Sequence, residues 1–305
     1  GYLHLGNAKA LNLNFKYAEK HNGYVFLRFD DTNPKNENMK YYRAIIKDVE
    51  WLGFKPKFVT ASSDYFEKMI EFGKALIREG KAYVCHLPLD DVRKYRRSVG
   101  VVHHGRQQYP AAEVLKKYIR SGTKHPECMC PSNCEIHARH SVSPEEEITS
   151  ELHFKLSPFR DRPVDVNLTL FQEMIDGRWK EGTAVLRLKM DTDSTNPFML
   201  DLVAFRVIEK PHSLTGTRYK VYPSYDFALC ICDSLEDVTH SFCSREFLTR
   251  QEPYKWLLKN LGLYMPVQWE FSRLNMPDAL LSKRKIKKLI ENKVIKSIDD
   301  PSLPT

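Results

Sequence analysis

The sequence predicts an α/β protein built on a doubly wound parallel sheet. Three short strand-like segments alternate with helical segments between residues 8 and 85, and this alternation is typical of a sheet with helices on both faces. A similar pattern restarts over residues 219–232. Ligands in such folds bind beyond the carboxyl ends of the strands, so the segments that follow the strands are the first candidates for a functional site.

The first helix is predicted over residues 8–20 and is closed by Gly23. Its apolar side chains share one helical face: Ala8, Leu11, Phe15 and Ala18. The preceding segment His4-Leu5-Gly6-Asn7 should therefore lie at a helix N-terminus, where unpaired N–H groups and the helix dipole favour an anion. Gly6 would let a flat ring or a phosphate approach the backbone closely. Taken alone, the tetrapeptide is more simply interpreted as a turn that contains a histidine.

The strands of the first half are predicted at three short segments: residues 24–29, 58–60 and 82–85. The first of them is nearly all apolar, which is typical of a strand buried on both faces of a parallel sheet. Two helices lie between the strands. One has apolar residues at helical spacing and ends at Gly53, and the other is capped by Ser63 or Asp64 and ends before Gly80.

Asp30 and Asp31 lie at the carboxyl end of the first predicted strand. Carboxylates at such a position are candidates for ligand contact. The segment Asp-Asp-Thr-Asn-Pro that they begin is also rich in turn formers, so a solvated turn is an equally open interpretation of the residues alone.

The strand–helix alternation breaks down after about residue 87. Farther along the chain we predict a helix over residues 164–174, a strand over residues 184–190 and an amphipathic helix over residues 256–263. A basic loop follows near the end of the chain: Leu281, Ser282, Lys283, Arg284 and Lys285. Three consecutive cations beside a serine would supply the counter-charge that a triphosphate needs.

Composition sets few limits on function. The chain has 305 residues, of which 42% are apolar and 28% charged, as is ordinary for a globular protein. A net charge of +8 fits a polyanion partner but is also common in proteins that bind no nucleic acid. No apolar run approaches the ~20 residues of a membrane helix, and residues 1–30 lack the pattern of a secretory signal. We expect a cytoplasmic protein without a membrane partner.

The seven cysteines do not form a disulfide framework, because their number is odd and most of them are scattered. Three of them cluster with a histidine as Cys128, Cys130, Cys134 and His137. Three thiolates and an imidazole form a plausible tetrahedral set for Zn²⁺, although only one residue separates the first two cysteines. A solvated loop that holds no metal is the open alternative.

Five motifs occur in the order that is found in one enzyme family. They are His4-Leu5-Gly6-Asn7 for the HIGH motif, Leu281-Ser282-Lys283 for the MSK loop, and the segments at residues 28–34, 222–227 and 270–275. Through these motifs, residues 1–97 and 155–305 resemble the catalytic region of the glutaminyl-tRNA synthetases, which are class I aminoacyl-tRNA synthetases. The archaeal and eukaryotic type of glutamyl-tRNA synthetase shares most of the motifs, so the amino acid needs its own argument.

The resemblance implies a domain order. Residues 1–86 and 211–264 would form two halves of a Rossmann-like catalytic domain. Residues 87–210 would form an inserted α+β domain that grips the tRNA acceptor end, with residues 98–154 as an extra insertion that the family lacks. Residues 265–305 would begin a small helical subdomain. We expect the chain to be a fragment of a monomeric enzyme, with a strand and a loop missing before Gly1 and the anticodon-binding domains absent.

The resemblance also implies a reaction, in which L-glutamine and ATP, with Mg²⁺, form glutaminyl adenylate for transfer to tRNA(Gln). His4, Asn7 and Lys283 would be the catalytic residues. The residues that match ATP contacts are His4, Leu5, Gly6, Asn7, Ala8, Lys9, Ala10, Ser244, Arg273, Leu274, Leu281, Ser282 and Lys283. The residues that match glutamine contacts are Asp30, Tyr225, Cys243 and Gln268.

The chain departs from the family at Asn7, Leu200 and Thr249. Asn7 replaces a second histidine, and we expect it to be tolerated because asparagine still donates a neutral hydrogen bond. The three departures slightly favour a synthetase-like module that binds without catalysis, but the retained motif residues weigh more heavily against it: His4, Gly6, Ser282 and Lys283. Cys243 favours glutamine over glutamate, since the glutamyl relatives carry an arginine there that neutralises the substrate carboxylate.

Overall fold

A computed structural model describes residues 2–87, 157, 159–192, 194–274, 283–297 and 300–301. The helices are α1 (Leu5–Lys20), α2 (Met39–Trp51), α3 (Phe66–Arg78), α4 (Val164–Ile175), α5 (Tyr225–Leu235), α6 (Gln251–Leu261) and α7 (Lys283–Glu291). The strands are β1 (Phe26–Phe29), β2 (Phe58–Ala61), β3 (Ala82–Cys85), β4 (Val185–Leu188), β5 (Val203–Val207), β6 (Val221–Pro223), β7 (His240–Ser244) and β8 (Val267–Phe271).

The α/β class is confirmed, and the parallel sheet is present as two separate pieces. β1 pairs in parallel with β2, beginning at Phe26 and Phe58, and β7 pairs in parallel with β8, beginning at His240 and Val267. Parallel neighbours need a crossover connection, which α2 supplies in the first pair and α6 in the second. Each piece therefore has the βαβ organisation that the alternating pattern predicts.

The third predicted strand belongs to a different sheet from the one we expected. β3 pairs antiparallel with β4 in a four-stranded antiparallel sheet of order β3-β4-β5-β6. β3 is buried along its whole length, whereas β1, the strand expected to be buried on both faces, is only half-buried. A run of apolar residues reports burial, but it does not report which strand lies beside it or in which direction.

The predicted cap of α3 is also wrong in its detail. A 3₁₀ turn at Ser62–Tyr65 precedes the helix, which begins at Phe66 without a side-chain cap. The Asp64 carboxylate instead accepts a hydrogen bond from Ala61 N at 2.8 Å. Asp64 therefore closes the 3₁₀ turn, and this turn sets the direction in which the chain leaves the carboxyl end of β2.

One large apolar core joins the antiparallel sheet to helices α3, α4, α5 and α6. Its largest fully buried members are aromatic: Phe66, Phe171, Phe205, Tyr222 and Phe227. At Gly73, α3 packs closely against α4 and β5. A Cβ added there would lie 3.2 Å from both Phe171 Cε1 and Phe205 Cε2. Neither ring has room to move, since both are fully buried.

We expect Gly73→Val to lower the free energy of unfolding by about 2 kcal/mol, because it overpacks this contact. Chemical denaturation of the purified protein measures the change. Lys74→Val is the matched control, since Lys74 lies one residue along the same helix in a partly exposed ion pair with Glu71. The control should change stability by no more than ~0.5 kcal/mol. Equal losses in the two variants would show that helix propensity, rather than packing, accounts for the effect.

The segment that departs from the family at Leu200 still forms a fixed turn. Asp201 has a left-handed backbone, with φ at 46°. Its buried carboxylate accepts hydrogen bonds from Tyr83 Oη at 2.9 Å, Arg160 Nε at 3.0 Å and Met190 N at 3.1 Å. This turn is therefore held by the Asp201 carboxylate, which accepts from three donors.

Among the described helices, none is both long and apolar enough to cross a membrane.

Candidate active site

His4 is the N-cap of α1, which begins at Leu5, three residues before the predicted start; its place at a helix N-terminus is as predicted. Asn7 N donates to His4 Nδ1 at 3.3 Å, and His4 N donates to Asn7 Oδ1 at 3.0 Å, so the two residues form a reciprocal capping box. Asn7 thus satisfies a backbone donor at the helix start, a task that an imidazole at this position would have to perform through a ring nitrogen. The substitution for the family histidine has a local structural role.

Gly6 leaves room for the observed position of the His4 ring. A Cβ at Gly6 would lie 2.9 Å from His4 Cε1 and 3.1 Å from His4 Nδ1, so the ring would have to shift. The imidazole therefore lies against the Gly6 backbone. We attribute the glycine of this motif to that contact as well as to ligand access.

The start of α1 lies beside the carboxyl ends of β7 and β8. Lys9 Nζ donates to Ser272 O at 2.6 Å, directly after the end of β8. Glu246 joins two further residues predicted to contact ATP, because it forms an ion pair with Arg273 and a hydrogen bond with Ser244. The hydrogen bond from Ser244, followed by the charge of Arg273, lowers the pKa of the Glu246 carboxyl.

Part of the predicted ATP set is thus brought together: Lys9 reaches the residue after β8, and Glu246 links Ser244 with Arg273. The α1 segment from His4 to Ala10 and the residues after β7 and β8 come from opposite ends of the chain, 263 residues apart at the Lys9–Ser272 contact. Lys283, Arg284 and Lys285 are the first three residues of α7, so the cations that were predicted to lie in a loop begin a helix instead. Leu281 and Ser282 lie outside the described residues.

An open groove of about 690 Å³ separates β1 from β7. Asp30, at the carboxyl end of β1, and Tyr225, the first residue of α5, both line it. Two of the four residues predicted to bind glutamine therefore share one concave surface, formed where the two parallel pieces face each other.

Asp30 and Tyr225 present an acceptor and a donor to this groove. Asp30 is open to the groove, and its Oδ1 accepts from Thr32 Oγ1 at 2.8 Å. The protein atoms packed around it desolvate the carboxyl and raise its pKa. Burial, followed by the charge of Asp30, raises the pKa of Tyr225 to about 12, so the phenol keeps its proton at neutral pH. The Arg250 guanidinium covers the Tyr225 ring at 5.5 Å and holds it in place.

The other two predicted glutamine residues lie on the second parallel piece. Cys243 is on β7 opposite Glu270, and desolvation, followed by the charge of Glu270, raises the pKa of its thiol. Gln268 lines a separate, shallow hollow with Arg245 and Gln251. Within the described part of the chain, its buried Oε1 has no hydrogen-bond partner. The structure thus does not place all four residues in one cavity.

Sequence reasoning missed a charged cluster that ties β1 to β7. Arg28 of β1 forms ion pairs with Asp233 and with Glu236 at the end of α5. Asp233 Oδ2 also accepts from Ser241 Oγ of β7 at 2.9 Å and from Tyr254 Oη at 2.9 Å. The cluster connects the strand before Asp30 with the strand that carries Cys243. The only sign of this cluster in the sequence was the three-residue spacing of Asp233 and Glu236, which places both carboxylates on one helix face.

The candidate zinc residues Cys128, Cys130, Cys134 and His137 lie outside the described residues. Within the ranges that are described, no group of three or more His, Cys, Asp or Glu side chains is arranged to hold a metal ion. The zinc hypothesis stays a prediction.

Comparison with known proteins identifies the family. Residues 1–130 and 136–305 match the catalytic domain of the class I tRNA synthetases for E and Q. The chain belongs to this family. Its resemblance to the glutaminyl-tRNA synthetases is confirmed by the curated relatives. The whole chain is 51% identical to a probable glutamine–tRNA ligase of Encephalitozoon cuniculi and 40% identical to the glutamine–tRNA ligase of Saccharomyces cerevisiae.

These relatives are much longer than the chain, which spans 37% of the first and 32% of the second. Among solved structures, a glutamate tRNA ligase from Elizabethkingia meningosepticum in complex with its amino acid superposes with a TM-score of 0.57. That match covers 94% of this chain and 51% of the other at 18% identity, and at this identity it supports the class I fold alone.

Proposed function

We propose that the chain is the catalytic part of an enzyme that ligates L-glutamine to tRNA(Gln) through glutaminyl adenylate, at the expense of ATP. One observation carries the proposal: the α1 N-terminus, with its His4–Asn7 capping box, lies beside the residues that follow the carboxyl ends of β7 and β8. Backbone donors and cations meet there from both ends of the chain, as an ATP site requires. The names of the relatives support the reaction.

In the first step, a glutamine carboxylate oxygen attacks the α-phosphorus of ATP and pyrophosphate leaves. Such a transfer needs positioning and charge neutralisation more than it needs an acid or a base. We assign the backbone of α1, His4 and Lys283 to the phosphates, and Gly6 to the approach of the nucleotide. Mg²⁺ enters with ATP, since it is bound mainly by substrate phosphates and water and needs no cage of protein ligands.

The glutamine side is assigned to Asp30, Tyr225, Cys243 and Gln268. We assign Asp30 as an acceptor for substrate N–H groups, and Tyr225, which keeps its proton at neutral pH, as a donor to a substrate oxygen. The buried Oε1 of Gln268, which lacks a partner within the described residues, is a suitable acceptor for an amide N–H. Closure of the groove would be needed to bring Gln268 toward Asp30.

We assign the tRNA acceptor end to an inserted domain over residues 87–210, which includes the antiparallel strands β4 and β5. We further propose that the enzyme acts as a monomer in the cytoplasm. The location is supported by a relative from Arabidopsis thaliana that is named a cytoplasmic glutamine–tRNA ligase and is 38% identical.

The decisive test is ATP–pyrophosphate exchange by the full-length enzyme with glutamine and tRNA. Exchange that depends on glutamine supports the proposal. A module that only binds tRNA, which the Leu200 and Thr249 departures favour, would give none with any amino acid. Exchange that is driven by glutamate would instead assign the chain to the glutamyl branch of the family.

We expect Asp30→Asn to raise KM for glutamine by roughly 30-fold, equivalent to about 2 kcal/mol, because one hydrogen bond to a charged acceptor is lost. The KM for ATP should not change. Asparagine Oδ1 can still accept from Thr32, so the turn is kept. Burial raises the pKa of Asp30, so folding opposes its charged form and the neutral variant should not melt at a lower temperature at pH 7.

The control for this variant is Asp161→Asn, whose carboxylate is 82% exposed and only 4.0 Å from Lys189. It removes the same charge from an exposed position outside the proposed glutamine site, and its KM for glutamine should match that of the parent enzyme when tRNA is saturating. An unchanged KM in Asp30→Asn as well would remove Asp30 from the glutamine site.

A further inference from the structure

His212 is a fully buried histidine in the β5–β6 hairpin, and the chemistry proposed above does not use it. Its Nε2 lies 2.8 Å from the backbone O of Asp31, the residue directly after Asp30. We propose that His212 is a positioning residue, which fixes the turn that presents Asp30 to the amino-acid substrate. This inference rests on the proposed function for its link to glutamine.

The two ring nitrogens of His212 have different partners. Nδ1 accepts from Leu214 N and from Thr215 N, each at 3.1 Å, and so cannot carry a proton. The proton therefore lies on Nε2, which donates to Asp31 O and also lies 3.3 Å from Glu37 Oε2 and 3.4 Å from Asp31 Oδ2. The same ring thus closes the tip of its own hairpin with one nitrogen and holds the turn at Asp31 with the other.

The turn after β1 is held from other sides as well. The Asp31 carboxylate accepts from Ser63 N at 2.9 Å and from Ser63 Oγ at 2.6 Å, in the 3₁₀ turn that follows β2. Thr32 O accepts from Arg206 Nη2 of β5 at 3.2 Å. Asp31 and Thr32 are themselves buried, and Asp30 is the member of this turn that opens into the groove.

This geometry makes the position of Asp30 depend on the hairpin. The donor from His212 and the donor from Arg206 bind successive backbone carbonyls, directly after the residue proposed to contact substrate. Loss of either contact removes one of the restraints on this backbone, and a misplacement of ~1 Å at a reacting or binding group can cost ~10²-fold in rate. The residues that hold ATP lie on other elements and should be unaffected.

Two substitutions separate the roles of the two nitrogens. In His212→Asn, Oδ1 can still accept from the N–H groups two and three residues ahead, as in an Asx turn, but no donor reaches Asp31 O. In His212→Gln, the longer amide carries a donor to about the place of Nε2, while the hairpin loses its acceptor. His86→Asn is the matched control, a buried histidine that stacks on Trp179 at 4.4 Å in another part of the fold.

The experiment uses the full-length enzyme in tRNA-dependent ATP–pyrophosphate exchange, together with melting temperature and backbone hydrogen exchange at residues 29–33. We expect His212→Asn to raise KM for glutamine by ~10-fold or more, leave KM for ATP unchanged, and speed hydrogen exchange in the turn. His212→Gln should recover much of the glutamine KM even if it melts at a lower temperature. The control should lower the melting temperature without changing the glutamine KM.

The positioning role would be overturned if His212→Asn and His86→Asn gave the same glutamine KM, or if turn protection was equal in His212→Asn and the parent enzyme. A failure of the proposed function looks different, because the parent enzyme itself would then show no glutamine-dependent exchange. The hydrogen-exchange comparison would still decide, in that case, whether His212 fixes the turn.

Discussion

Lys283→Ala should abolish adenylate formation while leaving the melting temperature of the protein unchanged. Lys283 is the first residue of α7, and the segment Ser282-Lys283-Arg284-Lys285 has no apolar side chain to pack. A charge-assisted contact to phosphate that strengthens in the transition state contributes about 3 kcal/mol or more, equivalent to a loss of roughly 150-fold in kcat. Because the side chain is not expected to contribute to the core, folding should not depend on it.

ATP–pyrophosphate exchange measures this loss, and thermal melting checks the fold. Lys287→Ala is the matched control on the same helix, since its side chain is 78% exposed and forms a 3.5 Å ion pair with the exposed Glu291. That control should retain exchange, because an exposed pair contributes little. Near-normal exchange in Lys283→Ala would show that the Lys283 side chain does not neutralise the triphosphate.

Local elements of this fold follow from the sequence because their signals are local. The apolar spacing of α1 and the glycine at position 23 predicted a helix that ends at Lys20, and the observed end agrees. The alternation of strands and helices predicted the α/β fold class. The assignment of β3 to the parallel sheet failed for a physical reason. A strand of four apolar residues is stabilised equally by parallel or antiparallel neighbours, and its partner β4 lies 100 residues farther along the chain.

The candidate site also contains some residues that the sequence predicts and others that only the structure shows. The motif residues of the ATP site were predicted by resemblance, and the contacts of Lys9, Ser244 and Arg273 lie between the start of α1 and the ends of β7 and β8. His212 and Arg28 were not predicted as positioning groups, because their roles depend on contacts with residues 181 and 205 positions away. A single histidine in a hairpin or a single arginine in a strand carries no signal for such a partner before the chain folds.

The choice of glutamine over glutamate should depend on Cys243. A site for glutamate must neutralise a buried carboxylate, because an unpaired charge out of water costs several kcal/mol. Cys243 offers no charge, since desolvation raises the pKa of its thiol. A site whose polar groups must be paired by the substrate amide can reject the wrong isostere by ~10⁴-fold or more without editing. Glu270, opposite Cys243, would add repulsion to a substrate carboxylate.

We therefore expect the full-length enzyme to charge tRNA with glutamine ~10⁴-fold more efficiently than with glutamate in kcat/KM. Cys243→Arg should move this ratio toward glutamate even if total activity falls. Glu270 would compete for the new guanidinium, so the double variant Cys243→Arg, Glu270→Gln should shift the ratio further than the single one.

Cys243→Ser is the control, because it keeps a small neutral group and should keep the preference for glutamine. Comparable kcat/KM for the two amino acids in the parent enzyme, or an unmoved ratio in both arginine variants, would show that Cys243 does not set the choice.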